Sequence, residues 1–435
     1  MRQSSAISIV AAVGAVVGLV SSPSWAGEPS PTSPAESPSG VPREAEDRDA
    51  GTAPTGDQEL TPEELEAIER AVGTPGAAGP EAAPASAPGA PSGSFSLNPD
   101  MSLILDVAGA WFSREEPAQL GAHDPTRNGF NFQQLELHAF ANVDPHFRFD
   151  ANLVFSQFGV EVEEAYATTL GLPGRLMVRA GQFLNRFGKR NPTHPHSWQF
   201  LDQALVLGKF FGGEGGRGLG VELSWLAPTP WYLELVAAMS DAAGGCCARS
   251  MLGGDDLGVH GLEDFLYTVA LKQFWDLDEA WGLSLGLSLQ TGPNASGLGN
   301  RSMLVGGDLF LRYKPPGAGF TSVDLLIEVI WRGRELPNRF IEDVGGFAEL
   351  AWRIDREWAL AGRYEWVGGI ANDPLDPEWT GARQRGAVVT DLYPSHFSRL
   401  RLQVGADARA WEEGLGWMAM LGLEVVVGAH GAHAY

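Results

Sequence analysis

From about residue 95 onward the chain runs in segments of roughly 10–13 residues in which apolar and polar side chains alternate. In one of them Phe147, Phe149, Ala151 and Leu153 fall on one side, and Arg148, Asp150 and Asn152 on the other. In another, Ser398, Leu400, Leu402 and Val404 oppose Arg399, Arg401 and Gln403. Asp308, Arg312 and Lys314 oppose Leu309, Leu311 and Tyr313; Asp324 and Glu328 oppose Val323, Leu325, Ile327, Val329 and Trp331. A period of two belongs to strands and excludes an amphipathic helix.

Sixteen such strands are expected: 101–113, 130–142, 146–157, 160–170, 175–184, 218–227, 231–240, 263–274, 281–290, 301–314, 319–331, 343–354, 357–367, 383–393, 397–408 and 415–428. Fourteen is the lower count, because 383–393 rests partly on the turn signal Pro394-Ser395-His396.

A soluble sandwich also alternates. Two features favour a membrane barrel instead. Apolar faces end in aromatics (Trp111, Trp225, Trp231, Trp281, Trp331, Trp352, Trp366, Trp417), as an interfacial girdle requires. Connections alternate between short turns, at 143–145, 171–174, 227–230 and 315–317, and long loops, at 114–129, 185–217, 241–262 and 368–382. Short periplasmic turns and long outer loops are the habit of outer-membrane barrels. An even strand count agrees, since it leaves both chain ends in the periplasm. The outward side of the last strand, from Trp417 to Val427, continues by parity to a terminal Tyr435. Such an aromatic end is what the outer-membrane assembly machinery reads.

Ahead of the barrel the composition differs. Arg2, the apolar stretch Ala6–Val20 and the small-x-small triplet Ser24-Trp25-Ala26 read as a signal peptide over 1–26. Residues 27–94 are rich in Pro, Ala, Gly, Ser and Glu, too poor in apolar surface to offset their ordering entropy, and read as a disordered periplasmic segment. One short helix is expected within it at 61–71, where Thr61 caps, Pro62 opens and Glu64 closes a capping box. The barrel occupies 95–435.

The net charge is −24, which gives no basic face for nucleic acid. Residues 1–94 carry 4 Lys+Arg against 13 Asp+Glu, leaving the barrel region at −15 with four lysines. The two cysteines, Cys246 and Cys247, are adjacent and tie no distant segments together. They read as ordinary loop thiols, with a strained ring or a soft-metal pair as the alternatives.

Basic side chains cluster where the fifth strand meets the long loop: Arg179, Arg186, Lys189 and Arg190. They either attract an anion at a constriction or pair with loop carboxylates such as Asp202 and Glu214, or with lipid headgroups. The lumen-facing Arg148, Asp150, Arg312, Asp324, Glu328, Arg399 and Arg401 are mixed in sign, which keeps a channel wet and weakly selective. His194 and His196 flank a rigid proline and either hydrogen-bond within the loop or share a metal, with Asp202 or a cysteine to complete the set. No nucleophile is spaced to work with His138, so no enzyme is expected, and no cofactor.

Glu164-Ala165-Tyr166, Leu176–Phe183, Arg186-Phe187-Gly188, Phe200–Val206 and Gly216–Val221 together resemble the central block of the phosphate-selective porin O/P-like outer-membrane proteins. Ser398–Gln403 and the closing 428–433 are similar to that broad group as well. The resemblance is dense over about 160–225. It implies a 16-stranded channel for small solutes or ions in the Gram-negative outer membrane, a homotrimer, and a third loop (here 185–217) folded inward to narrow the pore. The acidic barrel departs from the anion-conducting members. A structural or receptor-like barrel with a closed lumen is the alternative.

Overall fold

The computed structural model describes residues 99–115, 119–157 and 159–428. The expected signal peptide, the 27–94 segment with its short helix, and the terminal 429–435 lie outside the described residues.

Among the described residues, sixteen antiparallel strands close into one barrel in which each strand pairs with its chain neighbours and β1 pairs with β16. The strands are β1 Asp100–Phe112, β2 Gly129–Asn142, β3 Phe147–Ser156, β4 Gly159–Thr169, β5 Leu176–Leu184, β6 Arg217–Leu226, β7 Tyr232–Ser240 and β8 Leu266–Asp276. They continue with β9 Trp281–Pro293, β10 Arg301–Tyr313, β11 Ser322–Leu336, β12 Arg339–Arg353, β13 Trp358–Val367, β14 Arg383–Ser395, β15 Ser398–Arg409 and β16 Leu415–Gly428. Closure pairs every strand on both sides, the condition for a sheet to cross lipid. The strand at 383–393, whose reading rests partly on a turn signal, is present as β14 and pairs with both neighbours. No helix of the described residues is long and apolar enough to cross a membrane.

The alternation settles which face is which. Leu421, Leu402, Val388, Leu350 and Val329 stand on the outside and are exposed, while Met420, Gln403, Val389, Glu349 and Glu328 beside them are buried inside. Strand direction sorts the exposed tryptophans into two rings. Trp111, Trp366 and Trp417 sit at the strand ends near the long loops, and Trp225, Trp231, Trp281, Trp352 and Trp358 near the short turns. An apolar band between two aromatic rings fits a bilayer whose interfaces favour amphipathic rings. Trp331, expected in the girdle, is half-buried. Trp198 and Trp379 lie buried in loops instead.

One hairpin is longer than its alternation first suggests. β11 and β12 continue in register to Leu336 and Arg339 around the two-residue turn Pro337-Asn338. Expected ends at 331 and 343 therefore fall short. The reason is an inward row of charges, Arg332 facing Asp343 and Arg334 reaching Asp373, that reads as loop but is paired inside the barrel.

Candidate functional site

The long loops cluster at one end, where β1–β2, β5–β6, β7–β8 and β13–β14 connect through 113–128, 185–216, 241–265 and 368–382. The 185–216 loop contributes the most to the lumen. It carries a one-and-a-half-turn helix, α1 (Leu205–Phe210), all six of whose residues are buried. Phe187, Leu205–Leu207, Phe210 and Phe211 of this loop pack with Ala248, Met251, Leu252 and Trp379 of the other loops. They rest on inward-facing Leu304, Leu326, Ile330, Phe347 and Val367 of the wall. The lumen thus contains an apolar core. Its sequence trace is visible afterwards in β11, where Leu326 and Ile330 interrupt the polar side of the alternation.

Polar contacts bind the same loop across the barrel. Asp202 is fully buried and accepts hydrogen bonds from Arg363 Nη2 at 2.5 Å and from Gln403 Nε2 at 2.8 Å. Arg385 Nη1 lies 2.8 Å from its other oxygen. Glu365 shares both arginines, at 2.9 and 2.7 Å, and also accepts the backbone N–H of Leu205 at 2.6 Å. Burial pushes the Asp202 carboxyl up, but the two guanidinium groups outweigh it and hold it below the ordinary range.

Near the start of the loop, Glu328 accepts the backbone N–H groups of Lys189 and Arg190 at 3.2 and 3.1 Å. Gly188 makes this approach possible. Its φ is +62°, and a Cβ there would stand 2.1 Å from Glu328 Oε1. A second charged layer joins loop 368–382 to β11 and β12: Arg332 forks onto Asp343 and reaches Asp376 at 2.9 Å, while Arg334 reaches Asp373 at 2.7 Å. Lys209, on α1, donates to Asp343 at 2.7 Å.

The four clustered basic residues do not converge on a common point. Arg179 pairs with Glu222 at 2.9 Å, Arg186 with Glu234, and Arg190 with Glu349 at 2.8 Å. Lys189 sits over the ring of Phe310, 4.4 Å from its centre. Their partners are wall carboxylates, whereas the expected Asp202 and Glu214 are engaged elsewhere.

The other lumen candidates are paired too: Arg148 with Asp150, Arg312 with Asp324 through two 2.8 Å bonds, Arg399 with Asp391, and Arg401 with Asp106 and Glu424. Arg399, Arg401, Asp150 and Glu328 are buried, so this stretch of wall is packed rather than wet. That corrects the expectation of a wet mixed-sign wall at these positions, while Arg148, Arg312 and Asp324 stay partly exposed. The charges are satisfied by each other and by the loop.

At the short-turn end the interior opens into a vestibule of about 420 Å³. Five cationic side chains line it (Arg312, Lys314, Arg353, Arg356 and Arg399) against the carboxylates Asp324 and Glu424.

His194 and His196 stack, with ring centres 5.7 Å apart, on the lumenal side of β2 and β4. His194 donates to Glu163 at 3.1 Å and to Glu164 at 2.9 Å; His196 donates to Glu136 at 3.0 Å. Burial works against protonation of His194, yet Glu163 and Glu136 hold it well above the usual imidazole range. Neither Asp202 nor a cysteine completes a ligand set here. Cys246 and Cys247 are joined in a disulfide between chain neighbours rather than standing as free thiols.

His123 was missed at the level of sequence. Its Nε2 lies 3.1 Å from Glu214 Oε2. Burial opposes its charge, but Glu214 and Glu163 raise it to about 9. Two adjacent carboxylates in an alternating strand, Glu163-Glu164, were the available signal. Both point inward because β4 carries a bulge at that place.

Comparisons with known proteins agree with the architecture. No family model matches the chain. An uncharacterised protein of Aquifex aeolicus (strain VF5) is 29% identical over 388 residues, covering 78% of this chain and 80% of the relative. Among solved structures, the outer membrane channel DcaP of Acinetobacter baumannii matches 76% of this chain and 97% of its own, with TM-score 0.52 and 10% identity. OprB of Pseudomonas putida matches 76% and 94%, with TM-score 0.50 and 9% identity. A loop L8 deletion of OmpT, an outer membrane protein of Vibrio cholerae, matches 76% and 99%, with TM-score 0.50 and 9% identity. At these identities the likeness is one of fold, and that fold is the porin barrel.

Proposed function

We propose that the chain is a narrow outer-membrane channel for passive diffusion of small solutes or ions, with loop 185–216 folded inward as its constriction. The observation that carries this is the pairing of Asp202 with Arg363 and Arg385, which pins the loop across a porin-type barrel. The short-turn end, with its vestibule, faces the periplasm of a Gram-negative cell, and residues 27–94 extend there after removal of 1–26. Assembly machinery that reads the carboxyl-terminal strand and a homotrimer in lipid complete the proposal.

Ion preference is assigned to the vestibule rather than to the cluster at the loop. Arg179, Arg186 and Arg190 are neutralised by wall carboxylates and serve to anchor the loop. Arg312 and Arg399 are likewise paired, with Asp324 and Asp391, so Lys314, Arg353 and Arg356 supply the vestibule's excess positive charge. The reading is therefore a weakly anion-preferring porin related in design to the phosphate-selective type.

A second reading has its own support. Burial of Asp202, Lys209, Glu328, Arg332 and Arg385 to 1% exposure or less fits a barrel sealed at mid-height. Planar-bilayer recording of the refolded mature chain separates the two. The channel reading expects discrete conductance steps and, in a salt gradient, a reversal potential of anion sign. A bilayer that stays silent with folded protein inserted supports the sealed barrel.

A further inference from the structure

Two bulges flank β3, one in β2 and one in β4, toward the long-loop end of the wall. In β2 the register with β1 shifts at Gln133, so that Gln133 and Gln134 both point inward; in β4 the register with β3 shifts at Glu163, so that Glu163 and Glu164 do the same. A bulge re-aims a side chain at the expense of ladder pairing, and proteins keep bulges where the re-aimed group is used. Here the extra residues face one spot. His123 from loop 113–128 and Glu214 from loop 185–216 meet Glu163 there, one ligand atom from each lying within 4.8 Å of the other two.

We propose that His123, Glu163 and Glu214 bind one divalent transition-metal ion of the zinc class, which ties both loops to the barrel wall. Two observations carry it first. A cavity of about 20 Å³ is lined by all three residues, the size of a single water or ion. His123 Nε2 and Glu214 Oε2 stand 3.1 Å apart, close to the roughly 3.3 Å between ligands of a tetrahedral ion with bonds of about 2.0–2.1 Å.

The surrounding groups are arranged as supports for ligands. His123 Nδ1 lies 3.4 Å from the carbonyl of bulged Gln133, which fixes the ring with Nε2 toward the carboxylates. His194 Nδ1 donates to Glu163 Oε2 at 3.1 Å and acts as a positioning residue. Gln203, which also lines the cavity, buries an Oε1 with no hydrogen-bond partner. One imidazole with two carboxylates suits zinc and its first-row neighbours better than calcium or magnesium, which prefer all-oxygen shells. Three protein ligands leave a fourth position for water. On binding, the ion replaces the Nε2 proton that otherwise satisfies Glu214, and that proton is released to solvent.

The site does not depend on whether the lumen conducts. The test uses the full mature chain, folded in detergent and stripped with chelator, titrated with zinc chloride by calorimetry and with cobalt(II) by visible absorption. One ion per chain is expected, with a ligand-field spectrum for cobalt. His123→Gln and Glu163→Gln should abolish binding, with folding checked by heat-modifiable gel mobility, and His194→Gln should weaken it by about 10–100-fold. His196→Gln, off the site, should bind as the unaltered chain does. Absence of binding to the unaltered chain overturns the proposal. So does undiminished binding by folded His123→Gln, or loss confined to His196→Gln.

Discussion

Replacing Asp202 with Asn leaves the loop almost unchanged in shape but removes one of two negative charges that neutralise Arg363 and Arg385. Asp202 and both arginines are buried, so the variant leaves Glu365 in contact with both guanidinium groups, with Glu349 and Asp407 acting on them from further off. Removing one partner of a buried pair typically costs about 3–5 kcal/mol. Glu365 keeps a contact to each arginine, which places the cost near the lower bound, about 3 kcal/mol. The strain is relieved by letting the loop out rather than by unfolding the barrel, because the sixteen-strand ladder does not include residue 202. A penalty of that size raises the loop-out population by about 100-fold. Limited proteolysis reads that population when opening and closing are fast relative to cleavage. Asp202→Asn should therefore be cut within 185–216 about a hundredfold faster, with heat-modifiable mobility of the barrel unchanged. Cleavage at the unaltered rate would refute the claim that this ion cluster pins the loop.

Further expectations follow from other parts of the molecule. Leu421→Arg puts a charge mid-strand on the lipid face and should destabilise the barrel by about 2–4 kcal/mol in equilibrium unfolding from vesicles; no loss would contradict the outward assignment. Gly188→Ala forces a left-handed backbone costing about 1–2 kcal/mol and a collision with Glu328, so proteolysis near Lys189 should accelerate while barrel mobility stays the same. His123 is raised from the usual imidazole range to about 9, so the stability it contributes is complete below pH 6.5 and lost as pH rises through 9. With chelator present, chemical unfolding should reveal a decline of about 3 kcal/mol over that interval, absent in His123→Gln.

Strand count, direction and lipid face could all be read from the chain because a strand's two faces meet different solvents, and period-two patterning records that directly. The β14 segment shows the strength of the rule: Arg383 and Arg385 face in, Val388 faces out. Interior contacts were hidden for a physical reason. Asp202 finds Arg363 and Arg385 over separations of more than 160 residues, and composition near Asp202 carries no trace of them. The same holds for Arg190 and Glu349. Bulges were hidden because one inserted residue shifts the phase of the alternation partway along a strand, leaving only the polar doublets Gln133-Gln134 and Glu163-Glu164 as marks. The histidine pair was visible as a pair. Its partners were not, since they come from β2 and β4 rather than from the cysteines or Asp202.

Single-channel conductance after trimming the loop tests the central claim most directly. A mature chain in which residues 193–213 are replaced by a short Gly-Ser link keeps all sixteen strands and loses α1, Asp202 and the apolar lumen packing. The account predicts steps severalfold larger than those of the unaltered chain. Equal steps from both proteins, each shown to be folded and inserted, would contradict a lumen narrowed by this loop.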